Sequence, residues 1–91
     1  MAKKVDQNQS AIVAALRQVG CAVADTHTVG HGFPDLVVYY PRTGLHLLEV
    51  KGPNGTLTAD ERDWHARWPG VVHVVRTVTE ALEAIGAKWG E

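Results

Sequence analysis

The chain has 91 residues, of which 45% are hydrophobic and 21% are charged, and its formal net charge is −1. This length leaves room for one domain, which we expect to span residues 1–91, because a second core would need about 50 residues of its own. The composition is that of a globular protein, and no apolar run approaches the roughly 18 residues that cross a bilayer, so neither disorder nor membrane insertion is expected. A near-neutral chain cannot hold a polyanion by overall charge. A nucleic-acid partner would need a local basic patch, metal ions or a dimer that pools its basic residues.

The amino-terminal residues and the cysteine content indicate the compartment. Lys3 and Lys4 are not followed by an apolar stretch, so no secretory signal is visible and a cytoplasmic location is expected. Cys21 is the only cysteine, which excludes an internal disulfide and a thiolate zinc site.

Patterns of apolar residues predict an α/β fold with the element order α-β-β-β-α-β-α. Helical spacing predicts a helix over 7–19, and Thr-x-x-Glu capping boxes predict two more helices, one from Thr58 to about Trp68 and one from Thr77 with Val78, Ala81, Leu82 and Ile85 inward. Strand-forming residues predict strands over 21–29, 36–40, 45–51 and 71–75. The last strand is nearly all valine, which is typical of a strand buried on both faces in the middle of a sheet. We therefore expect a mixed central sheet flanked by helices.

The third predicted strand carries two charged residues where a buried strand would be apolar. Glu49 and Lys51 are two positions apart, so their side chains point to the same face of the sheet. Taken alone, the two residues are most simply interpreted as a surface salt bridge, which contributes about 0–1 kcal/mol.

Asp35, at the start of the preceding strand, favours a second interpretation. Opposite residues of an antiparallel pair share a face, so Asp35 joins Glu49 and Lys51 if the hairpin turn holds an odd number of residues. A three-residue turn over 42–44, ending in glycine, would place Asp35 opposite Lys51 and diagonal to Glu49. Two carboxylates at that distance repel each other unless a proton or a metal intervenes, which predicts a site for a hard divalent cation.

The spacing of Pro34-Asp35 and Glu49-Val50-Lys51 resembles the signature of the PD-(D/E)XK nucleases. Four segments are similar to the small stand-alone VRR-NUC domains of bacteriophages and bacteria: 32–38 (GFPDLVV), 48–51 (LEVK), 57–58 at a helix start and 69–70 before the valine strand. The resemblance covers nearly the whole chain. It implies a restriction-endonuclease-like core, in the cytoplasm of a bacterium or of a phage-infected host.

The resemblance also implies a divalent-metal-dependent endonuclease. Asp35 and Glu49, with the backbone carbonyl of Val50, would bind Mg²⁺ or Mn²⁺, and Lys51 would orient or help to deprotonate the attacking water. The expected substrate is branched DNA, four-way (Holliday) junctions above all. The expected working unit is a homodimer, because two-fold pairing doubles the phosphate contacts and matches the near two-fold symmetry of a junction.

Two positions depart from the pattern of these relatives. Many of them carry a glutamate in the first helix that completes the metal site, whereas this chain offers Asp6, Gln7, Asn8 and Gln9. Asp6, the only acid, either joins the site or caps the helix. Relatives also tend to have glutamine where Glu61 stands, and the capping box gives Glu61 a purely structural interpretation.

Contacts with DNA phosphates are expected from residues near the predicted cleft. The candidates are Lys3, Lys4, Gln9, His31 and Arg42, with a solvated surface as the alternative for each. Trp64, Trp68 and Trp89 are predicted to be core or interface anchors rather than platforms for bases. Of Tyr39 and Tyr40, one should be buried and the other available to a partner.

A second functional hypothesis is a domain that keeps the fold and binds DNA junctions without cutting them. The presence of Asp35, Glu49 and Lys51 argues against it, whereas the missing acid of the first helix argues for it. Cleavage assays with and without Mg²⁺ discriminate between the two hypotheses.

Overall fold

The computed structural model describes residues 7–87, and its elements follow the predicted order. The helices are α1 (Gln7–Gln18), α2 (Ala59–Arg67) and α3 (Val78–Ile85), and the strands are β1 (Ala22–Asp25), β2 (Leu36–Tyr40), β3 (Gly44–Val50) and β4 (Val72–Val75). Lys3, Lys4, Asp6 and Trp89 lie outside the described residues. Within the described part, no helix is long and apolar enough to span a membrane.

The four strands form one mixed sheet in the order β1-β2-β3-β4. β2 is antiparallel to β1 and to β3, whereas β4 is parallel to β3, and α2 supplies the crossover that a parallel pair requires. The prediction that the valine strand lies in the middle of the sheet is wrong, because among the described strands β4 pairs only with β3. Its valines favour any pleated strand, and their composition does not distinguish an edge from the centre.

Helices α1 and α3 cover one face of the sheet and form the core with it. Buried side chains come from α1 (Ile12, Leu16), from α3 (Ala81, Leu82, Ile85) and from the sheet (Leu36, Val38, Tyr40, Leu48, Val50, Val75). The inward face predicted for α3 is therefore confirmed, with Val78 partly buried against the same cluster. The helix is capped by Thr77, whose side chain accepts a hydrogen bond from the backbone N–H of Glu80.

The other face of the sheet carries only apolar side chains along the four strands, apart from the carboxylates at one end. We call this set the open face; it consists of Ala22, Ala24, Val37, Tyr39, Leu45, Leu47, Val72 and Val74. Tyr39 is 49% exposed and Leu45 is 67% exposed, whereas Tyr40 on the opposite face is buried, as predicted for one of the two tyrosines. Within residues 7–87, these apolar side chains are left partly in contact with solvent.

The β2–β3 hairpin fixes the register of the two strands that carry the charged residues. Tyr40 pairs with Gly44 and Leu36 with Leu48, so the turn consists of residues 41–43 rather than 42–44. The backbone N–H of Thr43 donates to the carbonyl of Tyr40, which puts Pro41 at the turn position that its fixed φ favours. The turn keeps an odd number of residues, but the same register now places Asp35 opposite Glu49. The predicted pairing of Asp35 with Lys51 is wrong.

Strand β1 is shorter than the predicted 21–29 because the chain turns after Asp25. The backbone N–H of Thr26 still donates to the carbonyl of Asp35, and Val29 then bonds back to Thr26. Residues 30–32 all have left-handed φ values, which a strand does not allow. This loop leads directly into Pro34 and Asp35.

Candidate active site

Asp35 and Glu49 meet at one end of the β2–β3 hairpin. Leu36 pairs with Leu48, and one residue further along the same register Asp35 lies opposite Glu49. Asp35 Oδ2 accepts a hydrogen bond of 2.9 Å from the backbone N–H of Val50, which holds its carboxylate over β3. Besides burial, the nearby Asp35 carboxylate raises the pKa of Glu49. The sequence predicted this convergence, and the hairpin produces it.

Glu49 is 1% exposed, and its surroundings are unfavourable to a negative charge. Burial raises its pKa, the neighbouring carboxylates Asp35 and Glu61 raise it further, and the result is a pKa of about 9. Without a bound cation, Glu49 is therefore protonated at neutral pH. Its Oε1 atom is buried and has no hydrogen-bond partner among residues 7–87. Such an atom is what a bound cation would satisfy.

Lys51 lies beside this pair, but its nearest partner is on another element. Its Nζ atom is 2.7 Å from Oε1 of Glu61 and 3.7 Å from Oε2 of Glu49. Burial lowers the pKa of Lys51, but the hydrogen bond and charge of Glu61 and the charges of Glu49 and Asp35 outweigh it, so its pKa is raised. The Lys51 ammonium is therefore charged at neutral pH.

Glu61 belongs to the capping box at the start of α2, as predicted, and also to the site. Its Oε1 accepts from the backbone N–H of Thr58 at 2.9 Å, and the Thr58 hydroxyl accepts from the Glu61 backbone N–H at 3.2 Å. Burial alone would raise the pKa of Glu61, but the hydrogen bonds from Lys51 and Thr58 lower it overall. The only sequence signal for this second role is that a capping glutamate reaches back over its helix start, which here follows Lys51 by a short loop.

The backbone around Lys51 is held by Asn8, one of the four first-helix candidates, and by Arg76, which the sequence analysis did not single out. The side-chain amide of Asn8 donates to the carbonyls of Lys51 (2.9 Å) and Arg76 (3.2 Å). The Arg76 guanidinium donates to the carbonyls of Gly52 (2.6 Å) and Gly55 (2.7 Å), in the loop that follows Lys51. Of the four first-helix candidates, Asn8 thus lies next to the site.

The start of α2 is docked onto the loop that precedes Asp35. A Cβ on Gly32 would lie 2.2 Å from the carbonyl oxygen of Asp60, so this close backbone contact requires glycine. The Phe33 ring meets Trp64 edge to face, and Trp64 stacks on Trp68 at 4.9 Å. Within the described chain α2 has no buried residue, so these tryptophans are not part of the main core.

The candidate DNA contacts are scattered. Gln9 is buried, and its amide donates to Asp25 at 3.4 Å. Contrary to the prediction, its side chain is therefore not exposed to a DNA phosphate. His31 is exposed in the loop before Asp35, beside Arg67 and Trp64. Arg42 is exposed at the hairpin tip, roughly 20 Å along the strands from Asp35.

The donor set fits a hard divalent cation held mainly by Asp35 and Glu49. Within residues 7–87, no group of three or more histidine, cysteine, aspartate or glutamate side chains is arranged to hold a metal. Mg²⁺ is commonly bound by one or two carboxylates, with water and substrate phosphate completing its shell. The unpartnered Oε1 of Glu49 fits this arrangement.

Comparison with known proteins agrees with this architecture. The family model of the VRR-NUC domain matches residues 2–69, a range that includes Asp35, Glu49 and Lys51. The chain belongs to the VRR-NUC family. VRR-NUC domains are part of the PD-(D/E)XK nuclease superfamily, so this VRR-NUC domain has a nuclease-type function in DNA processing.

A solved structure described as a VRR-NUC domain has the same fold as this VRR-NUC domain. The TM-score is 0.70 at 24% sequence identity, and the superposition covers 85% of this chain and 88% of the other. The comparison with curated proteins finds no match.

Proposed function

We propose that this VRR-NUC domain is a divalent-metal-dependent endonuclease that cuts branched DNA, with four-way junctions as the principal substrate. The observation that supports metal dependence is the state of Glu49. It is buried beside Asp35, its pKa is raised to about 9, and its Oε1 has no partner within the described residues. Burying a carboxyl group beside two other carboxylates, while the neighbouring ammonium is hydrogen-bonded to Glu61, costs stability, which a bound cation would recover.

Each charged residue of the site has a role in phosphodiester hydrolysis. Asp35 and Glu49, with the Val50 carbonyl, would hold Mg²⁺ or Mn²⁺, which lowers the pKa of a bound water and neutralises charge on the phosphate. Lys51, whose Nζ is 3.7 Å from Glu49, is close enough to the pair to donate a hydrogen bond to the attacking water or to a phosphate oxygen.

We further propose a homodimer formed through the open face. Leu45 and Tyr39 expose much of their side chains on a face without a charged residue between them, and this surface does not suit a phosphate backbone. An apolar partner suits it, and aromatic residues such as Tyr39 are enriched in such interfaces. A second copy would also double the phosphate contacts of a chain whose net charge is −1.

A cleavage panel tests the proposal. The purified domain is incubated with a four-way junction, a flap, a splayed arm and a linear duplex, in Mg²⁺, in Mn²⁺ and in EDTA. Cleavage is expected only with a divalent metal, fastest on the junction, and absent in Lys51→Ala. Junction binding without cleavage in any metal would instead support the inactive binding module, and equal rates on duplex and junction would leave a general nuclease.

A further inference from the structure

We propose that Glu61 is a positioning residue of this active site. Its carboxylate holds the Lys51 ammonium away from Glu49 and thereby keeps the Asp35–Glu49 pair available to a divalent metal. This inference rests on the proposed metal-dependent function and assigns Glu61 a role beyond the capping box.

The distances show which carboxylate holds the ammonium. Lys51 Nζ is 2.7 Å from Glu61, a full charge-assisted hydrogen bond, and 3.7 Å from Glu49, which is beyond hydrogen-bond range. The Lys51 and Glu61 side chains are only 15% and 16% exposed, so water screens this ion pair weakly. Of the two carboxylates in reach, Lys51 is bonded to the one on α2.

The consequence is visible at Glu49. Its Oε1 atom has no hydrogen-bond partner in the described chain, although an ammonium lies close to its other oxygen. If Lys51 turned to Glu49, the ammonium would form a hydrogen bond with a Glu49 oxygen instead of lying 3.7 Å away, and a metal would have to displace it in order to bind. A carboxyl oxygen already hydrogen-bonded to an ammonium is a poorer metal ligand than one without a hydrogen-bond partner.

Glu61 is itself held in place, so that it can fix Lys51. Its Oε1 accepts from the Thr58 backbone at the start of α2. The α2 start is in turn fixed against the loop before Asp35 by the contact of Gly32 with Asp60. The Lys51 ammonium is therefore hydrogen-bonded to a carboxylate that is itself held at the start of α2.

A glutamine at position 61 removes the negative charge of the side chain but keeps its shape. Its amide oxygen can still accept from Thr58 and from Lys51, but it lacks the negative charge that attracts the ammonium. With the negative charge gone, Glu49 becomes the nearest carboxylate to Lys51 Nζ. Glu61→Gln should therefore let the ammonium compete with metal.

The chain provides a matched control in α3. Glu80 accepts a hydrogen bond of 2.7 Å from the backbone N–H of Arg76, and its own N–H is capped by Thr77. Glu80→Gln thus makes the same chemical change at the start of a helix, on a carboxylate that accepts from a backbone N–H and not from Lys51. It should leave metal binding unchanged.

The experiment is calorimetry of Mn²⁺ binding without DNA, on the wild type, Glu61→Gln, Glu80→Gln, Lys51→Met and the double variant Lys51→Met/Glu61→Gln. Thermal melts establish that each variant is folded. We expect Glu61→Gln to weaken Mn²⁺ binding roughly tenfold, but no more than about threefold when Lys51 is already methionine. Lys51→Met alone should bind Mn²⁺ at least as tightly as the wild type.

The outcomes separate this inference from the metal assignment. Unchanged Mn²⁺ binding in Glu61→Gln would overturn the positioning role while leaving the Asp35–Glu49 site intact. An equal loss in both Lys51 backgrounds would also overturn it, since Glu61 would then act only through its own charge. If the wild type binds no Mn²⁺, the metal site fails, and the positioning role fails with it.

Discussion

Gly32 approaches Asp60 so closely that a Cβ at position 32 would lie 2.2 Å from the Asp60 carbonyl oxygen. This contact joins the loop that leads to Asp35 to the helix that carries Glu61. Asp35 and Glu61, which lie on elements distant in the sequence, are thus linked by backbone packing. Phe33 and Trp64 extend the same contact with an edge-to-face pair.

The first prediction compares two glycines of this loop. Gly30 and Gly32 have nearly the same φ (81° and 84°), but a Cβ on Gly30 meets no described atom within 4 Å. Gly30→Ala should destabilise the fold by about 1 kcal/mol through its left-handed backbone, and Gly32→Ala by about 3 kcal/mol, because the clash is added. Urea unfolding of both variants measures the difference. Equal losses would mean that the α2 contact is not tight in solution.

The second prediction isolates the hydrogen bond from Val50 to Asp35. Asp35→Asn keeps a side-chain oxygen for the Val50 N–H, whereas Asp35→Ala leaves this buried donor unpaired. Both variants remove the negative charge beside Glu49, so the difference between them reports the hydrogen bond. Asp35→Ala should be less stable than Asp35→Asn by about 1–3 kcal/mol in chemical denaturation. If the two variants unfold alike, water must satisfy the Val50 donor.

The third prediction concerns pH and the metal-free protein. The pKa of Glu49 is about 9 in the folded state and near its ordinary value of 4.5 when unfolded. Between these values the folded protein binds a proton that the unfolded chain does not, so the free energy of unfolding falls as pH rises, by at most about 1.4 kcal/mol per pH unit. Below pH 4.5 this contribution is constant. Denaturation in EDTA from pH 5.5 to 8.5 should show the fall.

The control for that prediction is Glu49→Gln. The charged neighbours of Glu49, which are Asp35, Lys51 and Glu61, remain in this variant, so any slope that they cause persists. Loss of most of the slope in Glu49→Gln assigns it to Glu49. The same slope in both proteins would show that Glu49 is ionised in the folded state.

The fourth prediction concerns Lys51 in cleavage. Lys51→Ala should lower the single-turnover rate by about 100-fold or more, while junction affinity measured in Ca²⁺ changes little, because the ammonium is one of many phosphate contacts. Lys51→Arg should fail as well. A guanidinium is larger and forked, and the space beside Glu61 is filled by a compact ammonium. Near-normal cleavage by Lys51→Arg would show that positive charge alone suffices.

The fifth prediction tests the open face as the dimer interface. Leu45, 67% exposed, lies on this face, and Val29, 55% exposed, lies in the loop after β1. Leu45→Lys should convert the dimer to a monomer, because it would bury an unpaired ammonium, whereas Val29→Lys should leave it intact. Light scattering at micromolar protein, with and without a four-way junction, measures both. A monomeric wild type under both conditions would exclude the interface.

The sequence predicted the element order and the carboxylate pair because both depend on local signals. The alternation of apolar and polar residues, the capping boxes and the turn residues around Pro41 and Gly44 are signals that extend over a few positions. An odd number of residues in the turn is enough to bring Asp35 and Glu49 to one face of the sheet. The exact partner of Asp35 was missed because a shift of the turn by one residue preserves that parity.

What the sequence did not reveal depends on packing between distant segments. The capping box placed Glu61 correctly on α2, but the approach of Lys51 to it depends on how α2 meets the end of β3. The position of β4 at the sheet edge likewise depends on strand order, which valine content does not encode. Gln9 was expected at the DNA surface, and only the packing of α1 against β1 shows that it is buried.

The amide of Asn8 is bonded at once to the carbonyls of Lys51 and Arg76, which follow the ends of two parallel strands. The first turn of α1 therefore links the ends of these two strands next to the candidate active site. Helix ends are among the first parts of a protein to open, and hydrogen exchange detects such openings long before global unfolding. Each opening of this turn would break both Asn8 hydrogen bonds, while the backbone N–H of Lys51 keeps its bond to the Val75 carbonyl, so the two strand ends would lose one of their links every time the turn opens.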